Sequence, residues 1–257
     1  MQKKIFENIK GVLFDLGYTL IEYEKENWSE INLNSKKAAY SSLKDLKLPL
    51  PPFEQFNARH EHLKEEFRRS AFDDRKGWKI TDVLSTQLAE YKIDNPEKYA
   101  LMFVEFFHES ARDIMYVEDD TFHTLKHLKA NGIKTGVLSN TIQPGKFYEK
   151  DLERLGLLPF FDFTIFSSEF GWRKPHPKIF KEGIRLIGLK SSEIIYVGDR
   201  FNMDALGSKA VGLNAVVKYC GKREYPDPMP ENIPMIYNIS ELLHFLNERN
   251  RLKVNTG

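Results

Sequence analysis

Beyond Glu118 the chain alternates short apolar runs with longer stretches of helical periodicity. Asp119 or Asp120 is placed to cap a helix over 121–130 that Gly132 closes, and 133–138 then reads as a buried strand. The pattern repeats with a helix over 144–155 ended by Gly156 and a short strand over 163–166. Pro177 opens a further helix that stops at Gly188, and Ser191 or Ser192 leads into a strand over 194–197. Asn202 or Met203 begins a short helix closed near Gly212, followed by a strand over 213–217. Strands separated by helices of this length imply βαβ units and a parallel sheet.

The stretch 22–112 reads differently, with helical stripes and no convincing strand. Ile80, Val83, Leu84, Leu88 and Tyr91 form the clearest stripe, and Phe56, His60, Leu63 and Phe67 another. A third follows Asn95-Pro96, a helix-start signature, and aligns Tyr99, Phe103, Phe106 and Phe107. These aromatic stripes predict a helical core of their own more than a binding face. Substrate-facing residues of this unit are expected in loops, with Pro49-Leu50-Pro51-Pro52 and Asp73-Asp74-Arg75-Lys76-Gly77-Trp78 as candidates. The Pro-rich segment 225–234 reads as an irregular connection, and 240–247 as a terminal helix.

Composition narrows the functional classes. A length of 257 residues suits one large or two modest domains, and the apolar content supports a packed core. The formal net charge of +1 supplies no field for nucleic acid or an acidic surface, so neither is expected as a partner. The basic start Met1-Gln2-Lys3-Lys4 is followed by interrupted apolar sequence, not by a signal-peptide core. No apolar run is long enough to span a membrane. A single cysteine, Cys220, excludes an intrachain disulfide and fits a reducing cytoplasm, which is the expected compartment.

The candidate chemistry lies where apolar runs end. Gly11-Val12-Leu13-Phe14 stops at Asp15, ahead of the turn Leu16-Gly17-Tyr18-Thr19. In open α/β sheets ligands collect outside the carboxyl ends of strands, where a carboxylate can attack phosphorus or hold a hard metal. Further segments share this build: Val137-Leu138-Ser139-Asn140, Arg173-Lys174-Pro175, and Ile195-Tyr196-Val197-Gly198-Asp199 with Asp204 beyond it. Together they bring carboxylates, a hydroxyl and an ammonium, the groups a metal-assisted phosphoryl transfer needs.

In order and separation these four segments resemble the motifs of the haloacid dehalogenase superfamily, whose members are mostly magnesium-dependent phosphohydrolases. The resemblance runs from about Lys10 to Val217. It implies an α/β fold with a Rossmann-like three-layer core, a mostly parallel sheet and an inserted all-helical cap domain that covers the site and selects substrate. The core is expected over 1–21 and 113–257 and the cap over 22–112. Asp15 is the expected nucleophile, acting through an aspartyl phosphate on a small phosphorylated metabolite. Asp15 and Asp199 are expected to ligate Mg2+ directly, since close carboxylates without a cation repel one another. The resemblance adds the main-chain carbonyl of Gly17 as a third ligand. Asp204 is expected to order a metal-bound water or Lys174. Ser139, the backbone N–H of Asn140 and Lys174 are the expected phosphate contacts, with Lys174 also steadying the nucleophile. Trp172, Arg173 and His176 are assigned to packing or to a solvated turn.

One position departs from the family's phosphatases, which carry a second aspartate where this chain has Gly17. That residue serves there as general acid and base, a contribution of about 10² to 10⁴-fold. Two alternatives therefore stand beside the phosphatase reading. One is a phosphate- and metal-binding regulatory protein with little turnover. The other is haloacid dehalogenation, which uses the same nucleophile on carbon without magnesium and gives no reason for Asp199, Asp204 and Lys174. Oligomeric state is not legible.

Overall fold

The computed structural model describes residues 6–24, 27–72, 74–110 and 112–246. The chain passes through β1 (Gly11–Phe14), turns, and forms half of a short ribbon, β2 (Glu22–Tyr23). Helices α1 (Trp28–Asp45), α2 (Phe53–Phe72), α3 (Ile80–Glu90) and α4 (Pro96–Glu109) follow, before β3 (Met115–Tyr116) pairs antiparallel with β2. The rest alternates: α5 (Asp119–Ala130), β4 (Lys134–Ser139), α6 (Gly145–Arg154), β5 (Phe163–Phe166), α7 (Ser167–Phe170), α8 (Pro177–Ile187), β6 (Ile194–Gly198), α9 (Leu206–Lys209), β7 (Asn214–Lys218) and β8 (Met235–Ile236).

The sheet is six-stranded in the order β5-β4-β1-β6-β7-β8, and each neighbouring pair is parallel. Alternation along β1 sends Val12 and Phe14 to one face and Leu13 to the other. The first face packs with Leu125 and Leu128 of α5 and Leu152 of α6; the second packs with Ile179, Phe180 and Ile187 of α8. A parallel sheet covered on both faces explains why its strands read as unbroken apolar runs. The α/β three-layer expectation holds.

The helical insert builds a second apolar cluster on Leu43, Phe56, Leu63, Leu84, Leu88 and Phe103, which Phe147 of α6 joins from the sheet core. Helix α1 is absent from the sequence-derived stripes because its buried face is made of Ser35, Ala39 and Leu43, too small and polar to register. Phe106 departs from its expected stripe and is 44 % exposed, because Ala100, Phe103, Val104 and His108 set the inward face of α4. The loop 74–78 is tied to the core, with Gly77 N donating to Gly171 O at 3.0 Å and Arg173 N to Arg75 O at 3.0 Å. Asp73 lies outside the described residues.

Other differences are local. Glu22 and Tyr23 do form a strand, a ribbon too short to show periodicity. Glu118, not an aspartate, stands at the helix cap of α5, and Asp120 instead accepts from Ser240 N at 2.9 Å. The terminal helix is a 3₁₀ segment, Ile239–Phe245, and Asn247 lies outside the described residues. The connection 225–234 is irregular as expected, and the short strand β8 follows directly after it. Among the described residues no helix is long and apolar enough to cross a membrane.

Candidate active site

The chain order reverses at β1, which lies between β4 and β6. Such a switch point opens a crevice beyond the strand ends. Asp15 follows β1, Ser139 ends β4 and Asp199 follows β6, so the topology gathers all three. Asp15 N donates to Val197 O at 2.8 Å, which extends the β1–β6 ladder to the site and fixes the carboxylate's base. Asp15 is 7 % exposed and Ser139 is 6 % exposed.

Lys174 arrives on the loop before α8. The Asn140 side chain clamps that loop, donating from Nδ2 to Lys174 O at 2.9 Å and accepting from Lys174 N at 2.8 Å. The Lys174 ammonium is fully buried and spends its three protons on Asp15 Oδ1 at 2.7 Å, Asp204 Oδ1 at 2.6 Å and Tyr196 Oη at 2.8 Å. Burial alone would lower its pKa, but Asp15 and Asp204 outweigh burial and raise it, so the cation is held. Tyr196 passes its own proton to Leu138 O at 3.1 Å.

Asp204 sits behind the end of β6, where its Oδ2 accepts from Arg200 N at 2.9 Å. Only glycine permits this at 198, since a Cβ there would lie 2.4 Å from Asp204 Cγ. Both Asp204 oxygens are thus engaged, one with Arg200 N and the other with Lys174. Asp199 differs. Its Oδ2 accepts from Arg223 Nε at 2.6 Å, while its buried Oδ1 has no hydrogen-bond partner. Burial, then Asp15 and Asp204, push its carboxyl up to about 7 against the opposing pull of Arg223. Oxygens of Asp15, Asp199 and Asp204 lie within 4.8 Å of one another. A partnerless carboxylate oxygen within an all-oxygen cluster fits a hard divalent cation.

Gly17 has no side chain to offer, yet its place is not empty: a Cβ there would meet Tyr23 Oη at 3.2 Å. The left-handed residue in this turn is Tyr18, with φ 58°, not Gly17. Tyr23 stays protonated, its pKa raised by burial and then by Tyr148, Tyr18 and Asp15.

Asp15, Gly17, Ser139, Asn140, Lys174 and Asp199 line one cavity of about 250 Å³. A larger cavity of about 630 Å³ lies beside the helical insert and shares Tyr18, Tyr23 and Tyr148 with the first. The smaller one holds the nucleophile candidate. Sequence reasoning missed Tyr196, Tyr23 and Arg223. A tyrosine inside the aliphatic run of β6 was a usable signal, because a buried phenol needs a partner. Arg223 gave none: it reaches Asp199 from an irregular loop well beyond the last motif.

A family model described as haloacid dehalogenase-like hydrolase matches residues 9–212. The chain is 33% identical over 245 residues to the glyceraldehyde 3-phosphate phosphatase of Methanocaldococcus jannaschii, covering 95% of this chain and 99% of that one. Among solved structures it is similar to 2-haloacid dehalogenase from Pseudomonas syringae pv. Tomato, with TM-score 0.68, 25% identity and coverage of 92% and 97%. It is also similar to a HAD phosphatase from Thermococcus onnurineus, with TM-score 0.56, 26% identity and coverage of 91% and 96%. Parallel sheet, strand-end carboxylates and the matched model together place this chain in the haloacid dehalogenase-like hydrolase family.

Proposed function

We propose that this enzyme is a magnesium-dependent phosphohydrolase of small phosphorylated metabolites, with Asp15 as nucleophile and α1–α4 as a cap over the site. The observation that carries the reading is the ion pair of Asp15 with fully buried Lys174 beside the partnerless Oδ1 of Asp199. A carbon displacement would leave that oxygen without purpose. The relative's printed substrate, glyceraldehyde 3-phosphate, supports a phosphomonoester.

In the first step an Asp15 oxygen attacks phosphorus, a bond forms to the carboxylate, and the bond from phosphorus to the leaving oxygen breaks. In the second, water attacks phosphorus and Asp15 departs as carboxylate; with no acid or base at Gly17, the leaving oxygen takes its proton from solvent and the attacking water gives one up to it. Lys174 holds Asp15 ionised and in place, and its loop is kept in register by Asn140. Ser139 and the Asn140 N–H contact the phosphate oxygens. Asp15, Asp199 and the Gly17 carbonyl would hold Mg2+, with Asp204 bracing behind them; the cation would neutralise phosphate charge as the bond is exchanged.

Two features favour a second reading, a regulatory protein with little turnover: Gly17 supplies no acid, and Arg223 already engages Asp199. One assay separates the two. Turnover of a panel of phosphorylated metabolites, dependent on magnesium and abolished by chelator, supports the enzyme. Binding of phosphate and metal without turnover on any member supports the regulator.

A further inference from the structure

The cavity that holds Asp15 is also lined by Arg173, Arg200 and Arg223. Lys174 and Arg223 are committed to carboxylates, Lys174 to Asp15 and Asp204 and Arg223 to Asp199. Arg173 and Arg200 form no ion pair among the described residues. Burial, and then the positive charges of Arg200 and Arg68, hold the Arg173 pKa below its ordinary value. The carboxylates of this cavity, Asp15 and Asp199, are already taken by Lys174 and Arg223, which leaves the guanidinium groups of Arg173 and Arg200 uncommitted. An anion between them would be favoured.

Their backbone positions are fixed by the site itself. Arg173 immediately precedes Lys174, and its N–H donates to Arg75 O at 3.0 Å. Arg200 immediately follows Asp199, and its N–H donates to Asp204 Oδ2 at 2.9 Å. An anion held by both guanidinium groups would therefore stand in the same cavity as the nucleophile. The Asp15 side is served by Lys174, Ser139 and Asn140, and neither Arg173 nor Arg200 is ion-paired with a carboxylate of the site among the described residues. The two arginines are thus available to a group of the substrate other than the one transferred.

We infer that Arg173 and Arg200 form a subsite for a carboxylate on the leaving group, so that the preferred substrate is a compact phosphomonoester of a hydroxy acid. A planar carboxylate matches the guanidinium fork, and a cavity of about 250 Å³ favours a short spacer between the two anionic groups. This deepens the phosphatase reading and contrasts with the uncharged aldehyde in the relative's printed substrate. Arg173 is thereby moved from the packing role that its sequence context suggested.

The test compares 3-phosphoglycerate with glycerol 3-phosphate, which share a three-carbon skeleton and differ in the carboxylate. With magnesium, kcat/KM is expected to favour 3-phosphoglycerate by at least about tenfold, the lower end of what one charge-assisted hydrogen bond supplies. Arg200→Gln and, separately, Arg173→Gln should bring that ratio toward one, while Arg200→Lys keeps part of it. A ratio near one in the unmodified protein overturns the inference. So does an equal loss on both substrates in the variants, which would mean that the arginines serve the transferred phosphate. If neither compound is hydrolysed, the phosphatase reading is in difficulty, and calorimetric binding to Asp15→Asn still decides the subsite. There, tighter binding of 3-phosphoglycerate by the same factor supports the inference and equal affinity ends it. Circular dichroism of each variant guards against misfolding.

Discussion

The sheet core and the helical insert both bury polar atoms, but they treat them in opposite ways. In the core, Lys174, Asp15, Asp204 and Tyr196 form one connected network at the strand ends. Beside that network Asp199 Oδ1 has no hydrogen-bond partner, as a cation site would explain, and Thr19 Oγ1 in the turn after β1 is a second such atom in the core. In the insert, Trp28 Nε1, His60 Nδ1, Trp78 Nε1 and Gln87 Oε1 are scattered and have no hydrogen-bond partner. A satisfied network specifies geometry, whereas isolated buried polar atoms cost stability without fixing one arrangement. Catalytic precision therefore belongs to the core, and tolerance to conditions should be limited by the insert.

The largest expected break is on the core side. Asp15→Asn keeps size and removes the nucleophilic charge, so turnover should fall by roughly 10⁴-fold or more, the scale on which loss of a nucleophile acts. The measurement is initial rate with magnesium on any accepted phosphate. Comparable rates in a folded Asp15→Asn protein would rule out the aspartyl-phosphate mechanism.

Next is the network's cation. Lys174→Met leaves Asp15 and Asp204 facing each other in a buried site, and breaking a buried pair of this kind costs about 3–5 kcal/mol. Urea unfolding should register that loss in addition to the loss of activity. A stability change near zero would show that the network is not structural and that Lys174 acts on substrate alone.

Asp15, Ser139, Asn140 and Asp199 were legible from sequence because each lies at the end of an apolar run, where strand periodicity and side-chain chemistry coincide. Lys174 was found with them through the order of the four motifs; the structure puts it on the loop before α8 and brings all five into one cavity. Arg223 was not legible, since it arrives from an irregular loop whose path no local pattern encodes. Helix α1 escaped because small residues on its buried face leave little hydrophobic contrast. Tyr23 escaped for a third reason: its importance exists only in relation to the side chain that Gly17 lacks.

The insert's weakness has a pH signature. Burial, with Lys36 adding to it, holds His60 neutral and depresses its pKa to about 4. Between about pH 6.5, the ordinary histidine value, and 4, the unfolded chain binds a proton that the folded chain refuses. Stability attributable to His60 is therefore present above that window and lost as pH falls through it, by up to about 3 kcal/mol. Denaturant melts of the unmodified protein and His60→Asn at several pH values should show a gap that changes across this range. A constant gap would mean that His60 titrates alike in both states.

The smallest expected effect concerns the seam between the two regions, where Tyr23 of the ribbon leading to the insert fills the space beside Gly17. With no aspartate at 17, the departing oxygen lacks the family's usual acid, and aryl phosphates, which leave without protonation, should be cleaved much faster than alkyl phosphates. Gly17→Asp is sterically testable because Gly17 is not in the left-handed region; that strain falls on Tyr18. The obstacle is the Tyr23 hydroxyl, 3.2 Å from the new Cβ, at the far end of a ring that can tilt. A carboxyl gained at the cost of moving Tyr23 should narrow the gap between aryl and alkyl substrates by about tenfold, short of the 10² to 10⁴-fold that a well-placed acid supplies. The readout is kcat over a leaving-group series for Gly17→Asp, Tyr23→Phe and the unmodified protein. A flat series in the unmodified protein would show that a proton is already delivered at this seam. A series that Tyr23→Phe then steepens would assign the delivery to Tyr23, so that the ribbon, and not the turn at Gly17, completes the site.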